Sequence, residues 1–331
     1  CMSSNFKAFV VREDGDGLFS NAIENRNIDD LPKGDLTIKV SFSSINYKDA
    51  LSASGNKGVT KHYPHTPGID AAGTIVESTS SEFSSGDKVI VTGYDLGMNT
   101  SGGFSEYIRV PNKWAIMLPE SLSLKESMAL GTGGLTAGLC INLLKNKNGI
   151  TNKKAIVTGA TGGVGCIAIQ LLSKLGAEVT AVTGKKNSAS FLNSLGANRV
   201  ITREELNEQF REPLSKGLYD IGIDVVGGKT LSGLLTCLNR EGTIACCGNV
   251  GGVAFETNVF PFILRGNSLL GVDSAERKIE EKEWLWNQFS SEWKIEDIDQ
   301  FSRTISLNDL DSEIKKILEG GQTGRVIVQA E

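Results

Sequence analysis

A chain of 331 residues is long for one domain and comfortable for two. Hydrophobic content of 40% and charged content of 22% are ordinary for a globular protein. The formal net charge of -5 excludes a strong nucleic-acid field, and no apolar run reaches the roughly 20 residues of a membrane span, so neither nucleic acid nor membrane is an expected partner.

The opening "CMSSNFKAFV" has neither a long apolar core nor a basic start, so no secretory signal is expected. Cys1, ahead of Met2, is left out of the fold reading. Over the first 125 or so residues, short alternating segments read as strands: "FKAFVV", "LTIKVSFSSI", "AGTIVES", "DKVIVTG" and "FSEYIRV". Gly, Ser, Asp and Pro separate them, which suits a compact β-barrel-like unit. "LKESMALGTGGLTAGLCINLL" then reads as helix, glycine-rich break, helix.

From Lys153 strands and helices alternate. "KKAIVTG", "AEVTAVTG", "NRVIT", "YDIGIDVVGG", "EGTIACCGNVGG" and "NSLLGVDS" are six strand candidates. Between the first two, Ile167, Ala168, Leu171, Leu172 and Leu175 recur at helical spacing, and Gly176 ends the helix. The pattern predicts an α/β fold with a doubly wound parallel sheet. The remainder, "ERKIEEKEWLWNQFSSEW", "FSRTISL", "LDSEIKKILEG" and "GRVIVQ", is mixed and is expected to rejoin the N-terminal unit.

The strongest motif is "VTGATGGVG", residues 157–165, between a strand and a helix. That is the context in which a glycine loop cradles a pyrophosphate against a helix N-terminus. Gly159, Ala160, Thr161, Gly162, Gly163 and Val164 are therefore cofactor-binding candidates. The second strand ends "VTGKK", and no acidic residue lies between Glu178 and Glu204. NAD enzymes usually place a carboxylate near this end to hold the ribose 2′-hydroxyl. Its absence, with Thr183, Gly184 and Lys185 in its place and Arg199 at the start of the third strand, points to NADP(H).

The other segment of interest is "INYKDA", residues 45–50, at the end of a strand. Asn46, Tyr47, Lys48 and Asp49 are either a solvated turn or a catalytic shelf. Of six cysteines none forms a C-x-x-C pair, and the only histidines are His62 and His65. No ligand spacing supports a metal site, and disulfides are not expected in the cytosol, the default compartment.

Together these segments resemble the medium-chain dehydrogenase/reductase superfamily over nearly the whole chain. "SSINYKDALSASG", "PGIDAAGTIVES", "GGFSEYIRV" and "PFILRGNSLLGVDS" are similar to its zinc-free branch of quinone oxidoreductases and acrylyl-CoA reductases, the YhdH/YhfP type. Zinc alcohol dehydrogenases carry a Cys ligand near "NYKDAL" and Gly-His-Glu where this chain has "PGID". The resemblance implies a Rossmann cofactor domain over residues 128–297 and a β-rich, GroES-like catalytic domain formed by residues 1–127 and 298–331. It implies a homodimer, an active site in the cleft between the domains, and no metal. It places Tyr47 at the nicotinamide, residues 160–164 at the pyrophosphate, and Thr183, Gly184, Lys185 and Arg199 at the 2′-phosphate and adenosine end. Asn249, Ile263 and Ser274 would line the nicotinamide side, and Thr132 would approach it. Arg325 and Arg265 are candidate anion contacts, or ion pairs.

Without a metal, alcohol oxidation is difficult and reduction of an activated C=C bond is easier. Hydride would arrive at the β-carbon of a conjugated thioester or ketone, leaving an enolate that needs hydrogen-bond donors and a proton. Tyr47 is the candidate donor, with positioning or packing as its other readings. Asn46 can donate or accept through its amide. Lys48 and Asp49 read as structural rather than catalytic. The expected function is NADPH-dependent reduction of a small enoyl-CoA, such as acrylyl-CoA to propanoyl-CoA. A quinone or enone reductase is the first alternative, and a nucleotide-binding protein without turnover the second.

Overall fold

The computed structural model describes residues 4–331. The chain divides into two compact units: the part up to Thr132 together with Ala275–Glu331, and Gly133–Ser274.

In the first unit, β1 (Asn5–Glu13) and β2 (Phe19–Asn27) pair as an antiparallel ribbon. β1 alternates cleanly: Phe6, Ala8 and Val10 enter one cluster, Phe9 and Val11 another. β2 was not visible as a strand, because "FSNAIENRN" is polar and largely uncovered; its pairing with β1 decides its conformation. β3 (Leu36–Ser44) follows, then the short helix α1 (Tyr47–Ala53), β4 (Asp70–Ser78), β5 (Lys88–Thr92), β6 (Tyr107–Val110) and β7 (Ala115–Met117). β3 is the organising strand. It pairs with β4 and β6, and its last residues pair with the C-terminal strand described below. Leu36, Ile38 and Val40 lie in one core with Ile75, Val89 and Ile108; each such side chain fully buried contributes roughly 1.5–3 kcal/mol.

α2 (Leu124–Asn148) is two helices broken at Gly131, at the glycine-rich stretch where the break was expected. The expectation that no segment is apolar and long enough to cross a membrane does not hold by length and composition alone. The most apolar stretch of α2 has a mean hydropathy of 1.3, but 83% of it is buried inside the protein, as in a core helix.

The second unit is a parallel sheet of β8 (Lys154–Val157), β9 (Glu178–Thr183), β10 (Arg199–Thr202), β11 (Tyr219–Asp224), β12 (Leu238–Cys246) and β13 (Ser268–Gly271). The order is β10-β9-β8-β11-β12-β13, the doubly wound order with its switch point between β8 and β11. Crossovers carry α3 (Gly163–Lys174), α4 (Ala189–Ser194), α5 (Arg203–Glu208), α6 (Gly228–Thr236) and α7 (Phe260–Arg265). The central strands β8, β9, β11 and β12 were legible because most of their residues are buried, so each reads as an apolar run; the edge strands β10 and β13 are partly exposed and were legible from the alternation of strands with helices.

The tail forms α8 (Ile279–Phe289), β14 (Ser302–Ser306), α9 (Leu310–Leu318) and β15 (Arg325–Gln329). β15 pairs with β3, so the tail rejoins the first unit as expected. The expected boundaries, 127/128 and 297/298, are displaced: the division falls after Thr132 and after Ser274. Residues 275–297 pack with the first unit because Lys282 is buried there. Its ammonium donates to the carbonyls of Thr92 (2.7 Å) and Ala275 (3.0 Å) and lies 3.6 Å from the centre of the Tyr94 ring. In sequence Lys282 is one more charge in the charged segment "ERKIEEKEW".

Candidate active site

The segment "INYKDA" turns directly from β3 into α1. Asn46 keeps an extended backbone, and the helix begins at Tyr47. Tyr47 is 40% exposed, and among the described residues its phenol makes no hydrogen bond within the chain. Beneath it lies a buried polar cluster. Asp49 Oδ2 accepts from the Asn46 backbone N–H (2.8 Å), and Oδ1 accepts from the N–H groups of Ile69 (2.9 Å) and Gly68 (3.2 Å). Asp70, the first residue of β4, accepts from Ser44 Oγ (2.7 Å), Asn46 Nδ2 (2.8 Å), Thr132 N (2.9 Å) and Thr132 Oγ1 (2.5 Å). Arg325 is 3% exposed; it donates to the carbonyls of Ala129 and Ile45 and to Asn46 Oδ1, and its Nη2 is 3.9 Å from Asp70.

Three expectations change here. Asn46, a catalytic candidate, has its amide engaged at both ends by Arg325 and Asp70, so it positions the turn that presents Tyr47. Arg325, a candidate cofactor contact, is a buried strut between β15, α2 and the shelf. Arg265 likewise donates to the carbonyls of Thr236, Leu238 and Ser215, so it ties α6 and α7 together and is no surface anion contact.

Burial, reinforced by the neighbouring Asp70 charge, pushes the Asp49 carboxyl from 3.8 up to about 7, against the opposing pull of its N–H donors. A carboxyl raised on folding contributes stability that is full below pH 4 and lost as pH rises to about 7. At about 1.4 kcal/mol per pH unit, the loss sums to roughly 4 kcal/mol. Denaturant titrations from pH 4 to pH 8 should show this decline, and Asp49→Asn should flatten it whatever its own stability. An equal slope in the variant would remove Asp49 as the cause.

In the second unit the glycine loop follows β8 and leads into α3, whose N-cap, Gly162, offers no side-chain hydrogen bond. The first N–H groups of α3 are thus left for an anion. At the end of β9, Thr183 is buried and its hydroxyl accepts from the Lys185 N–H (3.0 Å). A Cβ added to Gly184 would sit 2.9 Å from Arg203 Cζ, so the guanidinium lies flat on that glycine. Burial, and then the Arg203 charge, lower the Lys185 ammonium below its ordinary value.

Two family models match the chain: the alcohol dehydrogenase GroES-like domain over residues 32–120, and the zinc-binding dehydrogenase over residues 163–291. YhfP of Bacillus subtilis, named for quinone oxidoreductase activity, is 41% identical over 99% of this chain and 100% of its own. The chain belongs to the medium-chain dehydrogenase/reductase family. It is an oxidoreductase of that family's quinone oxidoreductase and acrylyl-CoA reductase branch, with a GroES-like unit and a Rossmann unit. The acrylyl-CoA reductase AcuI of Ruegeria pomeroyi is 37% identical over 98% of each chain. Among solved structures, yhdH of Salmonella enterica in complex with NADP matches with a TM-score of 0.94 and 38% identity over 98% of this chain and 100% of that one. Bacillus subtilis yhfP with NAD bound matches with 0.95 and 40% over 99% and 100%.

Set against this family's cofactor sites, Arg199 does not reach the end of β9. It pairs with Thr180, three residues before Thr183, on a parallel strand. That puts it toward the amino end of the sheet, whereas ligands of such sheets lie beyond the carboxyl ends. Arg203 is the cation that reaches Gly184 and Lys185, and sequence reading missed it. The signal was present: Thr202 pairs with Thr183, so the residue after Thr202 faces the residue after Thr183. Thr132 falls in the first unit, with its hydroxyl donating to Asp70. Ser274 Oγ accepts from Thr136 (2.9 Å). Asn249 is exposed in the loop after β12, and Ile263 is 68% exposed on α7.

Proposed function

We propose that this oxidoreductase reduces an activated C=C bond with NADPH, taking a small enoyl-CoA such as acrylyl-CoA to propanoyl-CoA. The observation that carries the reading is the donor set of the shelf. The Asp70 lone pairs are answered by four hydrogen bonds from within the chain, the Arg325 guanidinium lies 3.9 Å away, and the neighbouring Asp49 carboxyl is likewise taken up by N–H donors. Such a set is a poor metal cage, so the acceptor has to be activated by its own conjugation. The end of β9 fits NADP(H): Arg203 and Lys185 repel each other, and a dianionic 2′-phosphate between them relieves both. The name of AcuI and the NADP-bound yhdH support the same reading.

When bound, NADPH supplies the hydride. The α3 N-terminus, with residues 159–164, receives the pyrophosphate. Thr183, Gly184, Lys185 and Arg203 receive the 2′-phosphate. Asn249, Ile263, Ser274 and Thr132 stay assigned to the nicotinamide side as part of this proposal. Tyr47 faces the nicotinamide and holds it in place. As a second role its phenol delivers the α-carbon proton, unless water does. The second reading, a quinone or enone acceptor, is favoured by the name of YhfP.

We also propose a cytoplasmic homodimer. Val253, Phe255, Val259, Phe260 and Leu264 are exposed, and β13, close to them in sequence, is a sheet edge unpaired among the described residues. That is the composition of a protein interface.

The test follows NADPH absorbance against acrylyl-CoA, crotonyl-CoA, a free enone and a quinone. Turnover of acrylyl-CoA in preference to the others is the expected result, and turnover of the quinone alone would reverse the two readings. Tyr47→Phe should lower kcat by about 100-fold if the phenol is the acid; an unchanged kcat leaves it only the positioning role.

A further inference from the structure

Lys48 is the one member of "INYKDA" that the shelf does not use. It is half-buried at the second position of α1, between Tyr47 and Asp49. Among the described residues, its ammonium has a single polar contact, Met98 Sδ at 3.9 Å. A thioether is a weak acceptor and carries no charge. The nearby carboxylates of Asp49 and Asp70 take their hydrogen bonds from Asn46, Ser44, Thr132 and backbone N–H groups. The helix dipole disfavours a cation at this end, and partial burial without an anion costs more. Lys48 is therefore a cation held against local preference, next to the exposed Tyr47. Such a local conflict is the usual mark of a working residue.

We infer that Lys48 is a catalytic residue that donates a hydrogen bond to the carbonyl oxygen of the conjugated acceptor. The inference rests on the proposed reduction and names the group that activates its substrate. As hydride from the reduced nicotinamide bonds to the β-carbon, the C=C electron pair moves to the α-carbon and onto the carbonyl oxygen. The oxygen becomes an enolate oxyanion, and Lys48 keeps its proton while stabilising that charge. The enolate then collapses as the α-carbon takes a proton from Tyr47 or water. The net change is one hydride and one proton added across the double bond. A carbonyl oxygen is common to enoyl thioesters, enones and quinones, so this role holds for each acceptor.

Lys48→Met separates the charge from the stem, because methionine keeps a similar length and can still pack on Met98. Steady-state kinetics with the whole acceptor panel are compared with NADPH affinity by fluorescence and with the melting temperature. Lys48→Met should lower kcat by about 100-fold on every acceptor that the unmodified enzyme reduces, the loss seen on removing one oxyanion donor. NADPH affinity and melting temperature should stay unchanged, and Lys48→Arg should recover part of the rate. A kcat within about threefold of the unmodified enzyme would overturn the inference while leaving the proposed function standing. A rise in KM confined to CoA thioesters would also overturn it, since that is the behaviour of an anchor for CoA phosphates. No turnover of any acceptor by the unmodified enzyme would overturn the proposed function, and this inference with it.

Discussion

Gly131→Ala is expected to disable this protein more thoroughly than any other single methyl group added to the shelf. Gly131 breaks α2 with φ 52 and ψ −151, a combination open to glycine and very costly for any other residue. The site is also full. An added Cβ would lie 2.5 Å from Asp70 Oδ2 and 2.7 Å from both Arg325 Nη2 and Ser44 Oγ. These atoms cannot move independently, because Asp70 and Arg325 also hold Asn46 and Thr132 in place. Backbone strain and the displaced carboxylate together should cost roughly 3–5 kcal/mol, or a melting temperature lower by about 10 °C. Turnover should fall further than stability, since the Tyr47 turn moves with Asn46. Gly15→Ala is the control, with nothing within 4 Å of an added Cβ. Calorimetry and NADPH turnover on both variants decide the matter: a Gly131→Ala protein that melts and turns over like the control would mean that the cluster does not depend on this break.

The second large effect is on the choice of nucleotide. Replacing both Lys185 and Arg203 by alanine should weaken NADPH binding by about 100-fold while leaving NADH affinity within about threefold. The estimate takes roughly 1.5–3 kcal/mol for each charge-assisted hydrogen bond to a phosphate and allows for solvent exposure. The unmodified protein should prefer NADPH by at least about tenfold, or 1.4 kcal/mol. Arg199→Ala should change neither affinity, because its strand position is three residues upstream of the phosphate end. Fluorescence titration of the four proteins with both nucleotides tests all of this. Equal affinity of the unmodified chain for NADPH and NADH would remove the 2′-phosphate role of the β9 end, and a loss on Arg199→Ala would restore the sequence-based assignment over the structural one. The NAD-bound yhfP structure makes the NADH arm of the titration informative.

How much was legible depended on what made each element regular. The four central strands of the second unit were visible because most of their residues are buried, the partly exposed edge strands β10 and β13 because strands and helices alternate there, and the helix after the glycine loop because its apolar spacing is a property of neighbours in sequence. β2 was not visible, since a polar segment becomes a strand only through its partner. Lys282 misled for a related reason: a lysine in "EEKEW" looks solvated until carbonyls from β5 and residue 275 are placed around it. Arg203 was missed by four positions, an error of register across two strands. Arg325 and Asn46 were chosen as functional residues from chemical type. Their real partners lie hundreds of residues away for Arg325, and on β4 and β15 for Asn46.

The sequence by itself determined the nucleotide class and the architecture: a glycine loop between strand and helix, a second strand ending without a carboxylate, and a shelf without metal-ligand spacing. These follow from residues close together in the chain, whose geometry local backbone preferences impose. Only the tertiary structure decided which cation meets the end of β9, which residues the buried carboxylates engage, and which shelf residue is left without an anion. Those outcomes depend on which side chains share the limited hydrogen-bonding capacity of a buried volume. That sharing is settled by packing between β3, β4, α2 and β15, and no single segment contains it.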